Sequence, residues 1–188
     1  MGNRAQLFKN TIALSAPNII NPFVSFALIL VISRSLGAQG LGEYSLILAW
    51  QAIFVTMASM GLGALVIRET ARKPETLQAF FANALTFGLV SSLLAVFAMI
   101  ATVKLMDYPQ RIIIGATISS LSLVPSTAIR YIEAVFRSVE KSEYLALCYM
   151  AENVARVLFS VVLLLLGFDL LWVFVAITLV NFLTFVMM

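Results

Sequence analysis

Six apolar runs, each about twenty residues or longer and parted by short polar connectors, constrain this chain more than any other feature. They cover approximately 11–32, 44–67, 77–103, 112–135, 144–166 and 170–188. About 20 apolar residues in a helix cross roughly 30 Å of hydrocarbon. Backbone groups in lipid must be satisfied within the segment, so an open sheet edge cannot survive there, and barrel strands would be about 10 residues of alternating pattern. The runs therefore predict helices, and the short connectors predict antiparallel neighbours. The fold class expected is an all-α polytopic membrane protein, with 1–188 as a single transmembrane domain.

Composition agrees. Hydrophobic residues make up 62 % and charged residues 11 % of the 188, with a mean hydropathy of +1.02, against about 45–50 % and 25 % in soluble domains. The first run is too long for the core of a signal peptide. Histidine is absent and Cys148 is the single cysteine, which removes the commonest metal ligand, the usual general base and any disulfide within one chain. No cofactor, metal or nucleic-acid partner is expected.

Lysine and arginine in the connectors set the orientation. One side carries Arg4, Lys9, Arg68, Arg72, Lys73, Arg137 and Lys141; the other carries Arg34, Lys104 and Arg111. This bias predicts a cytoplasmic N-terminus. The chain stops inside its sixth run, which reads as a truncated chain or half of a longer transporter. Arg68, Arg72 and Lys73, and the amphipathic start from Met1 to Asn10, are expected to lie against anionic lipid.

The stretch SRSLGAQGLGEYS, from Ser33 to Ser45, gathers an arginine, three glycines and a glutamate between two apolar runs. Its glycines do not make GxGxxG, and they follow a transmembrane helix where a nucleotide fold would need a strand. It reads as a turn on the outer side, with Gly37 ending the first helix.

Polar side chains inside the runs face a helix neighbour or a water-filled cavity. In the first run, Thr11, Ser15, Asn18, Pro22 and Ser25 fall on one helical face, and Pro17 and Pro22 predict a kink. Asn18 and Asn21 either bond freed backbone groups, point into a cavity, or join helices as packing contacts. In the fourth run, Ser119, Ser122, Ser126, Arg130, Glu133 and Arg137 form one polar stripe beside Pro125, which is expected to bend the helix. In the fifth, Glu152 and Arg156 are four residues apart. Arg130 and Glu152 come to similar depth on antiparallel neighbours, so they are expected to pair, either to neutralise buried charge or to line a path.

Three classes of function fit such a chain: a transporter with a central polar cavity, a membrane-embedded enzyme, and an assembly subunit whose polar stripes only join helices. The enzyme class is disfavoured, because neither a histidine base nor a DxD pair is present. The expectation is a transporter and not an enzyme.

Resemblance carries the reading further. SRSLGAQGLGEYSLILAW (Ser33 to Trp50), GLGALVIRETARKPE (Gly61 to Glu75) and IRYIEAVFRSVEKSEYLAL (Ile129 to Leu147) together resemble the N-terminal six-helix portion of polysaccharide biosynthesis, or O-antigen (Wzx-like), flippases. That family belongs to the multidrug/oligosaccharidyl-lipid/polysaccharide exporter superfamily. The resemblance implies that about six transmembrane helices form one lobe of a two-lobe V-shaped fold around a cationic cavity. It implies movement of undecaprenyl-diphosphate-linked oligosaccharide across the bacterial inner membrane by alternating access, for O-antigen, capsule or exopolysaccharide export. The partners implied are the lipid-linked oligosaccharide, anionic lipids, a polysaccharide polymerase and chain-length regulator, and a second lobe or second copy. A small-molecule or drug exporter of the same superfamily is the alternative. Arginine binds phosphate oxygens bidentately and stays charged, which makes Arg34, Arg130 and Arg156 candidate diphosphate contacts. Glu133 and Glu152 are candidates to hold these arginines or to carry a coupling proton, with Asn18 and Asn21 as further cavity candidates.

Overall fold

The computed structural model describes the backbone of residues 2–72, 77–138 and 142–188, and the side chains of 20–68, 78–137 and 144–188. Seven helices account for nearly all of it: α1 (Gly2–Ser59), α2 (Leu62–Arg72), α3 (Leu77–Leu105), α4 (Gln110–Ser120), α5 (Leu123–Ser138), α6 (Ser142–Leu165) and α7 (Leu170–Met187). Five stretches are long and apolar enough to cross a membrane: Ile20–Ser59, Gln78–Leu105, Gln110–Arg137, Tyr144–Leu165 and Leu170–Met187. The protein is an all-α polytopic membrane protein.

The first of these stretches has 40 residues, about twice what one crossing needs. Gly37 divides it, with φ 70° and ψ −171° inside otherwise helical α1. Only a residue without Cβ adopts this left-handed backbone at low cost. The turn expected over Ser33 to Ser45 is thus confined to one residue, and the chain on either side of it stays helical. The backbone is also helical through Pro17 and Pro22, so the break in α1 falls at Gly37 and not at the prolines.

Side-chain contacts give the direction of each helix. The second arm of α1 meets α4 and α5 through Gln51 with Ser119, Gln51 with Ser122, and Ser59 with Tyr131, at sequence separations of 68, 71 and 72. A nearly constant separation means parallel helices. Arg111 with Asp169, Ile118 with Thr178, and Ser126 with Asn181, at separations of 58, 60 and 55, place α7 parallel to them as well. The first arm of α1 meets α6 through Ser25 and Asn153. Chain direction reverses at Gly37, between α1 and α3, at 106–109, between α5 and α6, and at 166–169, which yields an alternating bundle.

Two of the expected spans are corrected. The run 44–67 is not one helix: α1 ends at Ser59, Met60 and Gly61 take φ of 44° and 70°, and α2 follows as a separate 11-residue helix. Tyr131 Oη and Ser91 Oγ donate to the carbonyls of Ser59 and Ala58, at 3.2 and 2.7 Å, occupying acceptors left at the helix end. The short α2 packs one face, centred on buried Val66, against Tyr131, Ala134 and Ala84. The run 112–135 is also divided, at Leu121 and Ser122. Pro125 has no N–H and its ring crowds the carbonyl four residues earlier, so the bend expected there takes the form of a break between α4 and α5.

The main core is formed by α1, α3, α4, α6 and α7 around Leu28, Ile32, Ile47, Met99 and Phe174. One ionic cluster ties the Gly37 end of the bundle: Arg111 Nε lies 3.3 Å from Glu43 Oε2 and its Nη2 pairs with Asp169. Gln39 donates to Glu43 Oε1 at 3.0 Å, and Asp169 accepts from the first amide of α7.

Gly88 marks a tight contact between α3 and α5, since a Cβ there would run into the ring of fully buried Tyr131. The helical Gly42 has nothing within 4 Å of an added Cβ. Gly88→Ala is expected to cost about 1–3 kcal/mol through overpacking, whereas Gly42→Ala should leave stability equal or slightly raised. Thermal unfolding in detergent compares the two; equal melting temperatures would contradict the Tyr131 contact.

Candidate functional site

Most intramembrane polar groups join helices. Asn153, 6 % exposed, donates through Nδ2 to both the backbone carbonyl and Oδ1 of Asn21, each at 3.1 Å. Its Oδ1 accepts from Ser25 at 3.3 Å and from Arg156 Nη2 at 2.5 Å. These four bonds hold the first arm of α1 to α6 and fix the Arg156 guanidinium. Gln51 does the same between α1 and the α4–α5 break: its Nε2 donates to Ser122 at 2.6 Å and its Oε1 accepts from Ser119 at 3.0 Å. Ser126 donates to Asn181 of α7 at 3.1 Å.

Below Ser126 the stripe on α5 changes character. A cavity of about 410 Å³ opens between α5, α6 and α7, lined by Ser126, Arg130 and Glu133, by Tyr149 and Glu152, and by Asn181. A second, of about 360 Å³, lies between α5, α2 and the end of α1, and shares Arg130 and Glu133 with the first. Arg130 thus stands on the partition between the two. It is exposed and makes no hydrogen bond or ion pair with the described residues.

The carboxylates are held differently from what periodicity suggests. The expected Arg130–Glu152 pair does not form, although both residues line the 410 Å³ cavity. Glu133 instead pairs with Arg137, one turn along its own helix, and accepts from Tyr149 Oη at 2.7 Å. An i,i+4 partner on the same rigid helix is closer at hand than an arginine on a separate face. The cavity therefore contains one unpaired cation, one carboxylate already neutralised, and Glu152, half-buried and without an ion pair among the described residues. Such a set can receive an anionic group at Arg130 while Glu152 supplies a single exchangeable negative charge.

The other sequence candidates lie elsewhere. Arg34 is exposed on α1 next to Gly37 and is not among the residues lining the polar cavity. Arg156 is half-buried at the α1–α6 contact, with its Nε buried and without an acceptor among the described residues. Asn21 joins helices and does not line the cavity. The side chain of Asn18 lies outside the described residues. Periodicity missed Tyr149, Asn181, Asn153 and Gln51. Asn181 stands out in hindsight as the one amide in a run of high hydropathy.

Structural and cavity residues should separate on mutation. Asn153→Leu removes three bonds that join α1 to α6 and the bond to Arg156 within α6, and leaves the Asn21 and Arg156 groups unsatisfied; it is expected to destabilise by about 1–3 kcal/mol or more. Arg130→Ala removes no hydrogen bond or ion pair to the described residues and should leave the melting temperature within about 1 °C of the original, a shift smaller than about 0.5 kcal/mol. Parallel melts of the two variants decide this, and a large loss at Arg130 would make it a structural residue.

No curated protein and no solved structure matches this chain. The model of the family described as polysaccharide biosynthesis protein matches residues 7–187, nearly the whole length, and spans the break at Gly37, the α4–α5 break and every cavity helix. The chain therefore belongs to the polysaccharide biosynthesis protein family, that of the Wzx-like flippases, as a multi-pass membrane protein.

Proposed function

We propose that this protein is one lobe of a flippase that carries undecaprenyl-diphosphate-linked oligosaccharide repeat units across the bacterial inner membrane by alternating access. The observation that carries the reading is Arg130: an intramembrane arginine on the wall of a polar cavity, held by no carboxylate among the described residues. An unpaired guanidinium in low dielectric is costly unless it meets water or an anion in use, and a diphosphate offers the oxygen geometry it binds best. Membership of a polysaccharide biosynthesis family supports a lipid-linked glycan as the substrate class.

In this reading Arg130 receives the diphosphate, and Glu152 provides counter-charge or a coupling proton as the cavity empties. Arg156, fixed by Asn153, is a candidate for a second position along the path, and Arg34 for one near the Gly37 end. The facing wall comes from a second six-helix lobe, in the same polypeptide or another copy. The lysine and arginine bias supports a cytoplasmic N-terminus, and with it α2 on the cytoplasmic side, where substrate is loaded. The protein is a transporter and not an enzyme, and a polysaccharide polymerase with its chain-length regulator is the expected consumer of its product.

Surface polysaccharide and lipid-linked precursor measured together in a deletion strain test this. Loss of display with precursor accumulation is expected, restored by the intact gene and at least tenfold less by the Arg130→Ala gene at equal protein level. Unchanged display and precursor would overturn the reading in favour of a small-molecule exporter.

A further inference from the structure

A groove of about 390 Å³ runs between α6 and α7 on the far side of Glu152 from Arg130. Ala151 and Ala155, one turn apart on α6, leave the trough; Leu147 and Phe159 bound it along α6, and Leu183 and Met187 on α7 form the opposite wall. Its lining is almost wholly apolar, and Leu147, Phe159, Leu183 and Met187 are all more than half exposed to the surroundings of the bundle. Glu152 belongs both to this groove and to the polar cavity of Arg130. The two spaces are therefore neighbours across one side chain, one polar with a free cation and the other apolar and open sideways.

We propose that the groove is the seat of the head-proximal apolar chain of the amphiphile whose anionic head lies at Arg130. This rests on the reading of Arg130 as the anion contact and adds the path of the tail. Three observations on the molecule support it. Arg130 in the adjoining cavity has no carboxylate partner among the described residues, which suits an anionic head. The groove and that cavity share Glu152 as a common wall between α6 and α7, so head and tail of one molecule would lie on either side of that side chain. From Leu147 to Phe159 it extends about 18 Å along α6 at 1.5 Å per residue, so the tail lies along the helices and leaves through the open side. At about 30 Å³ per heavy atom, the volume of a water, the groove takes roughly a dozen atoms. Two or three five-carbon units of a polyprenyl chain fill it, and the remainder lies in the bilayer.

The test is photolabelling of the full protein in vesicles with a long-chain polyprenyl diphosphate carrying a diazirine, either in its second unit from the diphosphate or at the far end. The proximal probe is expected to label the peptides spanning Leu147–Phe159 and Val180–Met187, with the distal probe spread over all lipid-facing helices. Unlabelled polyprenyl diphosphate should compete, and excess phosphatidylglycerol should not. Ala151→Trp, which fills the trough from an exposed position, should lower proximal labelling at least tenfold. Equal maps for the two probes, or equal competition by phosphatidylglycerol, would overturn the inference and make the groove a seat for bulk lipid. Arg130→Ala separates the two levels. If it weakens polyprenyl diphosphate binding while the groove goes unlabelled, the tail path falls and the head site stands. If the groove is labelled but Arg130→Ala changes nothing, the head site falls. Should Ala151→Trp fail to fold, the labelling map of the unsubstituted protein still decides.

Discussion

Hydrocarbon offers no hydrogen bonds, and the arrangement of this bundle follows from that. A polar side chain inside a span either finds a partner on another helix or borders a space that water or a ligand fills. Asn153 and Gln51 meet the requirement by joining two helices each. Tyr131 and Ser91 meet it by occupying the carbonyls at the end of α1. Once these groups are assigned, Arg130 and Glu152 stand out because neither makes a hydrogen bond or ion pair among the described residues, and the cavity they border is where the bundle makes room for something else.

The break between α4 and α5 links this local chemistry to the site. Pro125 prevents one helical bond, the chain is interrupted at Leu121 and Ser122, and the interruption is bridged by Gln51 from α1. Up to and at the break, Ser119 and Ser122 face α1; after it, Ser126, Arg130 and Glu133 face α6 and α7. A continuous stripe in the sequence thus serves two interfaces. Packing occupies its first half and leaves the second available to the cavity.

Much of this was legible in the residues. Hydropathy alone gave the bundle, and the two positions where span boundaries differ are both sites of special backbone: left-handed Met60 and Gly61, and Pro125. Neither interrupts a hydropathy pattern, because Leu62, Val66 and Leu123 on the far side remain apolar. Helical spacing found Arg130, Glu133 and Glu152 on the cavity helices. It could not rank their partners, because distance on one helix is fixed by the sequence while distance between helices depends on their rotation about their own axes. Glu133 therefore went to Arg137 and Tyr149, and Arg130 has no partner among the described residues. Asn21 and Arg156 have the composition of cavity residues and were drawn instead into the contact around Asn153.

The cluster of Arg111 with Glu43 and Asp169 has a mechanical consequence. It joins the three chain reversals at one end of the bundle, so tilting of the helices there pivots about a common point. Arg130 lies 19 residues further along α4 and α5, about 28 Å away at 1.5 Å per residue. A tilt of about 5° about Arg111 moves a group at that distance by roughly 2 to 3 Å, comparable to the length of a hydrogen bond. An ionic knot remote from the cavity thereby acts as a fulcrum, with a lever arm long enough to turn a small rotation into contact or loss of contact at Arg130.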